Sequence, residues 1–400
     1  MRRWQPTVRI LTRYVIGDLL TVFLLTLAGM TTLIFVAMIG KEAVDKGLGL
    51  GPLVRMTPYL LPQAMQFAVP GTMLLAVTSV YGRMASSNEI VAVKSMGISP
   101  WALAMPTLVL AALVSFGAVL LNDVAVSWGR LGVERVFVES IEEVIYGQLR
   151  VHRTYRDGNL NITVRRVEGR KLIEPTLTGF FGDSQEPTVG AADWAELEKL
   201  PGRHEVVIRL HNLELAIDDG GVVLPTTTEG AFSLDKLAGR NGGRSPSTYA
   251  LAEIGEAITR TSTDIEQLRQ DQTARAAMAM MTGEMELLSE AGWAPLDQSL
   301  RSAAYTRSRL HAEPHRRWAT GFSCLAFVAV GIPVSIIMRK GEFLASFFMC
   351  FAPILIVYYP LLMVSVDKAK GGAVPPASVW VGNAVLALSG SYLMRRVIRY

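Results

Sequence analysis

The sequence predicts a helical membrane protein of six transmembrane helices, arranged three plus three around an inserted extracytoplasmic all-β domain. Half of the 400 residues are hydrophobic and the mean hydropathy is +0.31, too apolar for an ordinary soluble enzyme. Six runs of some 20 residues lack Asp, Glu, Lys and Arg, enough to cross a hydrocarbon core of roughly 30 Å at about 1.5 Å per helical residue. Between the third and fourth runs the pattern turns polar and alternates like strands.

The runs cover 19–40, 59–81 and 101–121 before the polar region, and 318–338, 343–366 and 377–394 after it. Pro62, Pro70, Pro106, Pro333, Pro353 and Pro360 fall inside them. In water these would break helices; in a membrane neighbouring groups re-satisfy the freed backbone. The first run is too long for a signal-peptide core and has no evident small-residue cleavage site, so it reads as a retained anchor. With the N-terminus inside, the cytoplasmic flanks hold 11 Lys and Arg and the opposite short loops five. Both termini are therefore expected in the cytoplasm and the large middle region outside.

Charge separates the same way. Residues 122–317 carry 23 Lys and Arg against 29 Asp and Glu, whereas the remainder carries 16 against 6. Basicity belongs to the membrane edges, where anionic headgroups attract it, so nucleic acid is not an expected partner. Cys324 and Cys350 lie within predicted spans and form no metal pattern.

In the outer region, Leu160, Ile162 and Val164 alternate with polar residues, as do Leu213, Leu215 and Ile217. Turn signals at 157–159, 167–171, 201–204 and 218–221 separate the runs, predicting two packed sheets of short antiparallel strands over about 155–234. Residues 186–201 are expected to be a loop bearing a short helix. After the Gly/Ser/Pro linker 239–247, residues 247–290 change to Ala, Glu, Gln, Arg and Met with Leu251, Ile254 and Ile258 at helical spacing. A charged amphipathic helix or hairpin is expected there, serving as a solvated connector or a helical partner surface.

The chemistry is conspicuous by what is missing. Asp18 stands at the start of the first run, and the other five contain no Asp, Glu, Lys, Arg or His, which weighs against a proton- or sodium-driven transporter. No phosphate loop, nucleophile elbow or H-E-x-x-H zinc motif occurs. His311, Glu313 and His315 crowd together in HAEPH, but the order is wrong and Pro314 is expected to disturb the helix; the segment reads as the interfacial lead-in to the fourth span.

The linker GRMASSNEIVAVKSMGISPW, 82–101, joins the second and third spans on the cytoplasmic side. Ser86, Ser87 and Asn88 offer helix caps before Glu89, whose charge suits a helix N-terminus. Ile90, Val91, Val93 and Met96 supply an apolar face, and Gly97 an end. A lone carboxylate suits a basic pocket of a soluble partner better than an anionic leaflet.

These residues resemble the LptF/LptG family of lipopolysaccharide-export permeases. The resemblance covers nearly the whole chain. It rests on LPQAMQFAVPGTMLLAV (61–77), GRMASSNEIVAVKSMGIS, HRRWA before the fourth span, YYPLL, Pro375, Pro376, Trp380 and Asn383. It implies a half-transporter that pairs with a second permease of the family, as hetero- or homodimer, and is energised by a cytoplasmic ABC ATPase dimer; no cofactor is expected on this chain, since ATP is used by the partner. The segment about 84–97 would be the coupling helix, with Glu89 as anchor, Asn88 capping, and Ala92 and Gly97 allowing close packing. The outer domain would resemble the family's jelly roll and hand lipid to periplasmic bridge proteins. Lys41 and, more weakly, Lys46 match basic residues facing lipid phosphates.

The division implied is 1–121 for the first three spans, 122–246 for the β domain, 247–317 for the charged connector and 318–400 for the last three spans. Residues 247–300 are longer and more charged than the family pattern, and the insert 182–204 is atypical. Two alternatives stay open: a passive membrane scaffold without ATP coupling, and a permease of another ABC lipid or lipoprotein export system, the latter needing four spans rather than six.

Overall fold

In hydrocarbon, backbone N–H and C=O groups must be satisfied within their own segment, so apolar runs fold as helices despite their glycines and prolines. A computed structural model describes residues 6–46, 49–157, 160–179, 188–199, 205–217, 220–224, 227–233, 245–283, 290–338 and 343–399. Before the strands come α1 (Pro6–Lys46), α2 (Leu50–Ser86), α3 (Glu89–Ser95), α4 (Pro100–Val124), α5 (Leu131–Glu139) and α6 (Ile141–His152). After them come α7 (Leu251–Thr282), α8 (Glu290–Ile337), α9 (Phe343–Pro353), α10 (Tyr359–Lys370) and α11 (Val381–Arg399).

Among the described residues six helices are long and apolar enough to cross a membrane: Ile10–Val44, Leu50–Ser86, Pro100–Phe137, Trp293–Ile337, Ala345–Lys370 and Pro376–Arg399. π-Helical turns at Ala125–Arg130 and Ile354–Tyr358 join α4 to α5 and α9 to α10. The second lies between Pro353 and Pro360, whose missing N–H groups interrupt the i to i−4 ladder. Pro314 does not disturb its helix: α8 runs through Pro295, Pro314 and Pro333 alike.

The chain divides into two units, one of 1–34, 61–128 and 245–400, the other of 35–60 and 129–244. In the first, α1, α2, α4, α8 and α11 share a core built on Leu19, Met73, Val77, Tyr81, Ala111, Val328 and Met394. Lipid offers helices no hydrophobic drive to associate, so close approach and interhelical hydrogen bonds hold them together. A Cβ on Gly390 would stand 2.5 Å from the carbonyl oxygen of Ala329, which brings α11 onto α8; one on Gly321 would stand 3.0 Å from Val119 N and 3.2 Å from Ser115 O, which brings α8 onto α4. The Tyr81 hydroxyl donates to Leu103 O at 3.0 Å, Leu325 N donates to Ser115 Oγ at 3.1 Å, and Asn383 Nδ2 donates to Ala319 O at 2.7 Å. The expected connector helix is α7, which buries Ile254, Ala257, Ile265 and Ala279 and packs on α8 as a hairpin.

The second unit holds two antiparallel sheets. The strands are β1 (Thr154–Asp157), β2 (Leu160–Thr163), β3 (Arg166–Glu168), β4 (Lys171–Ile173), β5 (Thr176–Gly179), β6 (Thr188–Ala191), β7 (Trp194–Lys199), β8 (Glu205–His211), β9 (Leu213–Ile217), β10 (Gly220–Leu224) and β11 (Thr228–Ser233). One sheet runs β1-β2-β5-β6-β9-β10 and the other β11-β8-β7-β4-β3. Ile162 and Leu177 of the first meet Leu172, Ala195, Leu197, Ile208 and Leu210 of the second in one core, against Ile141, Ile145 and Leu149 of α6.

The short helix expected within 186–201 is replaced by β6 and β7. Glu, Leu and Lys favoured helix, but β7 pairs with both β4 and β8, and Ala195 and Leu197 are buried with period two. Pairing on both sides overrides propensity. Residues 180–187, 200–204 and 234–244, with most of the Gly/Ser/Pro linker and parts of several turn signals, lie outside the described residues, as do Arg339 and Lys340.

Candidate functional site

The segment 82–101 folds as a short helix slung between two long ones. The Ser86 hydroxyl donates to Arg83 O at 2.9 Å, and that of Ser87 lies 2.8 Å from both Arg83 O and Glu89 Oε1, so its one proton serves either. Asn88 then turns left-handed, with φ 59°, and its carbonyl accepts from Ala92 N at 3.0 Å. The Asn88 side chain makes no capping bond, contrary to expectation. A left-handed residue aims its side chain away from the following amides, and Asn is one of the few residue types that adopts this conformation readily. At the other end Gly97 N donates to Lys94 O at 2.9 Å and Ile98 N to Val93 O at 3.2 Å, a Schellman ending around Gly97 at φ 77°. Open space surrounds Gly97, so glycine is needed there for its backbone angle rather than for close packing within the chain. Ser99 caps α4, accepting from Trp101 N at 3.3 Å.

The helix is shorter than the 84–97 expected, because α2 continues to Ser86. Its apolar face is narrower too. Ile90 and Val93 are buried, Ile90 in the core that contains Met84, Ala85 and Leu103, whereas Val91 and Met96 are exposed, Met96 by 68%. Ala92 and Ser95 are exposed and Glu89 is half-buried near the start. The arrangement presents a small apolar knob with one carboxylate at its edge. Asp18 of α1 and Arg83 near the end of α2 form an ion pair, and the Lys94 ammonium donates to Val397 O of α11 at 3.0 Å.

A second constellation was not anticipated. Arg317 of α8 is fully buried, donating from one terminal nitrogen to Asp123 Oδ1 at 2.8 Å and from the other to Tyr249 O at 2.6 Å. The same Asp123 oxygen accepts from Leu251 N at 2.8 Å. Ala250, at the N-cap of α7, has no acceptor in its side chain, so Asp123 caps that helix from a distance. Glu313, also fully buried, accepts from Arg316 at 2.7 Å and lies 3.9 Å from Arg317 Nε. The uncharged runs end just short of these groups, which hid them from a search for ionisable residues inside spans. HAEPH thus contributes Glu313 to an ionic network, and the described residues hold no cluster of His, Cys, Asp or Glu able to bind a metal.

Lys41 is exposed near the end of α1 and has no ion partner among the described residues; Lys46 is the last residue of that helix. The model of the family described as lipopolysaccharide export system permease LptF/LptG matches residues 13–396. The chain belongs to the LptF/LptG family. An LptF/LptG protein is a transport permease, not an enzyme, and its six apolar helices make this one a multi-pass membrane protein. A comparison with curated proteins found no match.

Proposed function

We propose that this chain is one permease of an ABC exporter that extracts lipopolysaccharide, or a related lipid, from the inner membrane and passes it through its β domain toward the outer membrane. A cytoplasmic ABC ATPase dimer supplies the energy, a second permease of the family completes the membrane channel, and periplasmic bridge proteins receive the lipid. The basic flanks support cytoplasmic termini and α3 with a periplasmic β domain. The working parts are three spans within 1–121, a jelly-roll-like domain within 122–246, the connector 247–317 and three spans within 318–400. The pair of antiparallel sheets around one core supports the jelly-roll reading.

The observation that carries the proposal is α3 itself. Ile90 and Val93 seat it firmly, while Val91, Ala92 and Met96 face outward with Glu89 at the edge, the form of a docking knob for a basic-rimmed pocket. Lys41, exposed at the opposite end of the first span from Asp18, suits a lipid phosphate, with Lys46 one helical turn beyond.

The test is purification of the tagged chain from its own membranes in mild detergent, native and Glu89→Arg. Co-elution of an ATP-binding subunit with the native chain, and its loss with the variant, is expected. Absence of any ATPase from an otherwise intact native complex favours a scaffold without ATP coupling.

A further inference from the structure

Helix α3 is seven residues long and continuous in the chain with α2 and α4, so any push on it reaches the second and third spans directly. One side-chain hydrogen bond takes it elsewhere. Among the described residues, the bond from Lys94 Nζ to Val397 O is the only one from an α3 side chain to another membrane helix, and the two residues stand 303 apart in sequence. Val397 is buried in the last turns of α11, where carbonyls have no helical N–H to accept from. A cation is the favoured donor at that end of a helix, both as a cap and against the negative end of the dipole. The rest of the contact is apolar: Ile90 of α3 shares its core with Met394 and Val397 of α11 and Ile332 and Ile336 of α8. α11 in turn meets α8 backbone to backbone at Gly390 and Ala329.

We infer that Lys94 is a positioning residue: it locks α3 to the end of the sixth span, so that a displacement of α3 drives α11, and through it α8, together with the second and third spans. The inference rests on the exporter reading and adds to it a second output of the coupling helix. Lys94 is distinct from the docking surface. Its ammonium turns inward to a buried carbonyl, while Val91, Ala92 and Met96 face out, so removing it leaves the docking face intact.

The experiment compares native, Lys94→Met and Lys94→Arg chains, each with its co-purified partners in proteoliposomes containing lipopolysaccharide. Two quantities are read: the amount of ATPase subunit co-eluting, and the lipid released per ATP hydrolysed. Methionine keeps the apolar stem and removes the donor; arginine restores one. Lys94→Met is expected to co-elute with native amounts of ATPase while lipid release per ATP falls about two- to thirty-fold, the range over which residues off the binding sites alter coupling. Lys94→Arg is expected to recover most of that loss. Native coupling in Lys94→Met, loss of the ATPase from it, or equal defects in the two variants would overturn the inference. If the native chain carries no ATPase at all, the exporter reading fails instead.

Discussion

Arg317 and Asp123, 194 residues apart in the chain, meet at 2.8 Å, with the guanidinium shut off from solvent and the carboxylate still about a quarter open. The pair does two jobs. It neutralises a charge where the apolar stretch of α8 begins, and through Leu251 N it supplies the cap that Ala250 lacks.

Breaking one side of it strands the other. Removing one partner of a buried pair costs about 3–5 kcal/mol. Arg317→Met is expected near the lower end of that range, because Asp123 regains water, and Asp123→Ala at least as high, because it leaves a fully buried cation and an uncapped helix. Thermal unfolding in detergent, followed by circular dichroism, measures both. Equal stability of native and Asp123→Ala proteins would rule out the paired role.

The crossing of α8 and α11 predicts a second asymmetry. Gly390→Ala puts a methyl group 2.5 Å from the carbonyl oxygen of Ala329, a backbone atom that cannot rotate aside, so the helices must separate. Gly29→Ala meets nothing within 4 Å and should be neutral or slightly stabilising, since alanine is the better helix former. Melting temperatures of the two variants, measured side by side, separate a packing effect from a propensity effect.

Tyr146 sets a pH dependence in the β unit. Its hydroxyl donates to Arg170 O at 2.5 Å and accepts from Leu197 N at 3.0 Å, tying α6 to both the β3–β4 hairpin and β7. Burial pushes the phenol above its ordinary value; the Leu197 N–H opposes this, Glu142 and Glu196 reinforce it, and Arg170 opposes it. The folded state therefore holds the proton more tightly than the unfolded chain. The stabilisation is intact below the ordinary phenol value of about 10 and is lost as pH rises through the folded value. Tyr146→Phe should be less stable at pH 8, by about 1–3 kcal/mol for two hydrogen bonds, and should lack that extra alkaline loss. Unfolding curves from pH 8 to 11.5 would show the two proteins converging.

In β7 the two faces differ sharply. Leu197→Ala, at a side chain buried in the common core, is expected to cost about 2–5 kcal/mol. Glu196→Gln, one residue away on the opposite face, should change stability by less than about 0.5 kcal/mol. A reversed order would mean that the register of β7 against β4 and β8 is wrong.

The membrane helices were legible because burial in lipid demands uninterrupted apolarity, a local property that a window of sequence records. The alternation of Leu160, Ile162 and Val164 likewise announced a sheet with one buried face. What could not be read depended on distant partners. β7 became a strand because β4 and β8 flank it, and Asn88 took a left-handed turn because α2 ran on to Ser86. Arg317 and Asp123 sat one and two residues outside the uncharged runs and Glu313 five, and nothing local told that Asp123 and Arg317 would face each other. For α3, composition gave the apolar count correctly but not which of Ile90, Val91, Val93 and Met96 turn inward.

The cap that Asp123 lends to α7 has a consequence for the order of assembly. Its donor, Leu251 N, comes 128 residues later in the chain, after the eleven strands of the described residues, and Arg317 later still. During synthesis Asp123 therefore waits at the end of α4 without its final partners, and the first turn of α7 stays uncapped until the chain has come back to that point. The fourth span brings the arginine that closes the triangle. Such a late, long-range closure ties this corner to both halves of the chain: a chain whose first half is misplaced has no carboxylate in position to receive the second.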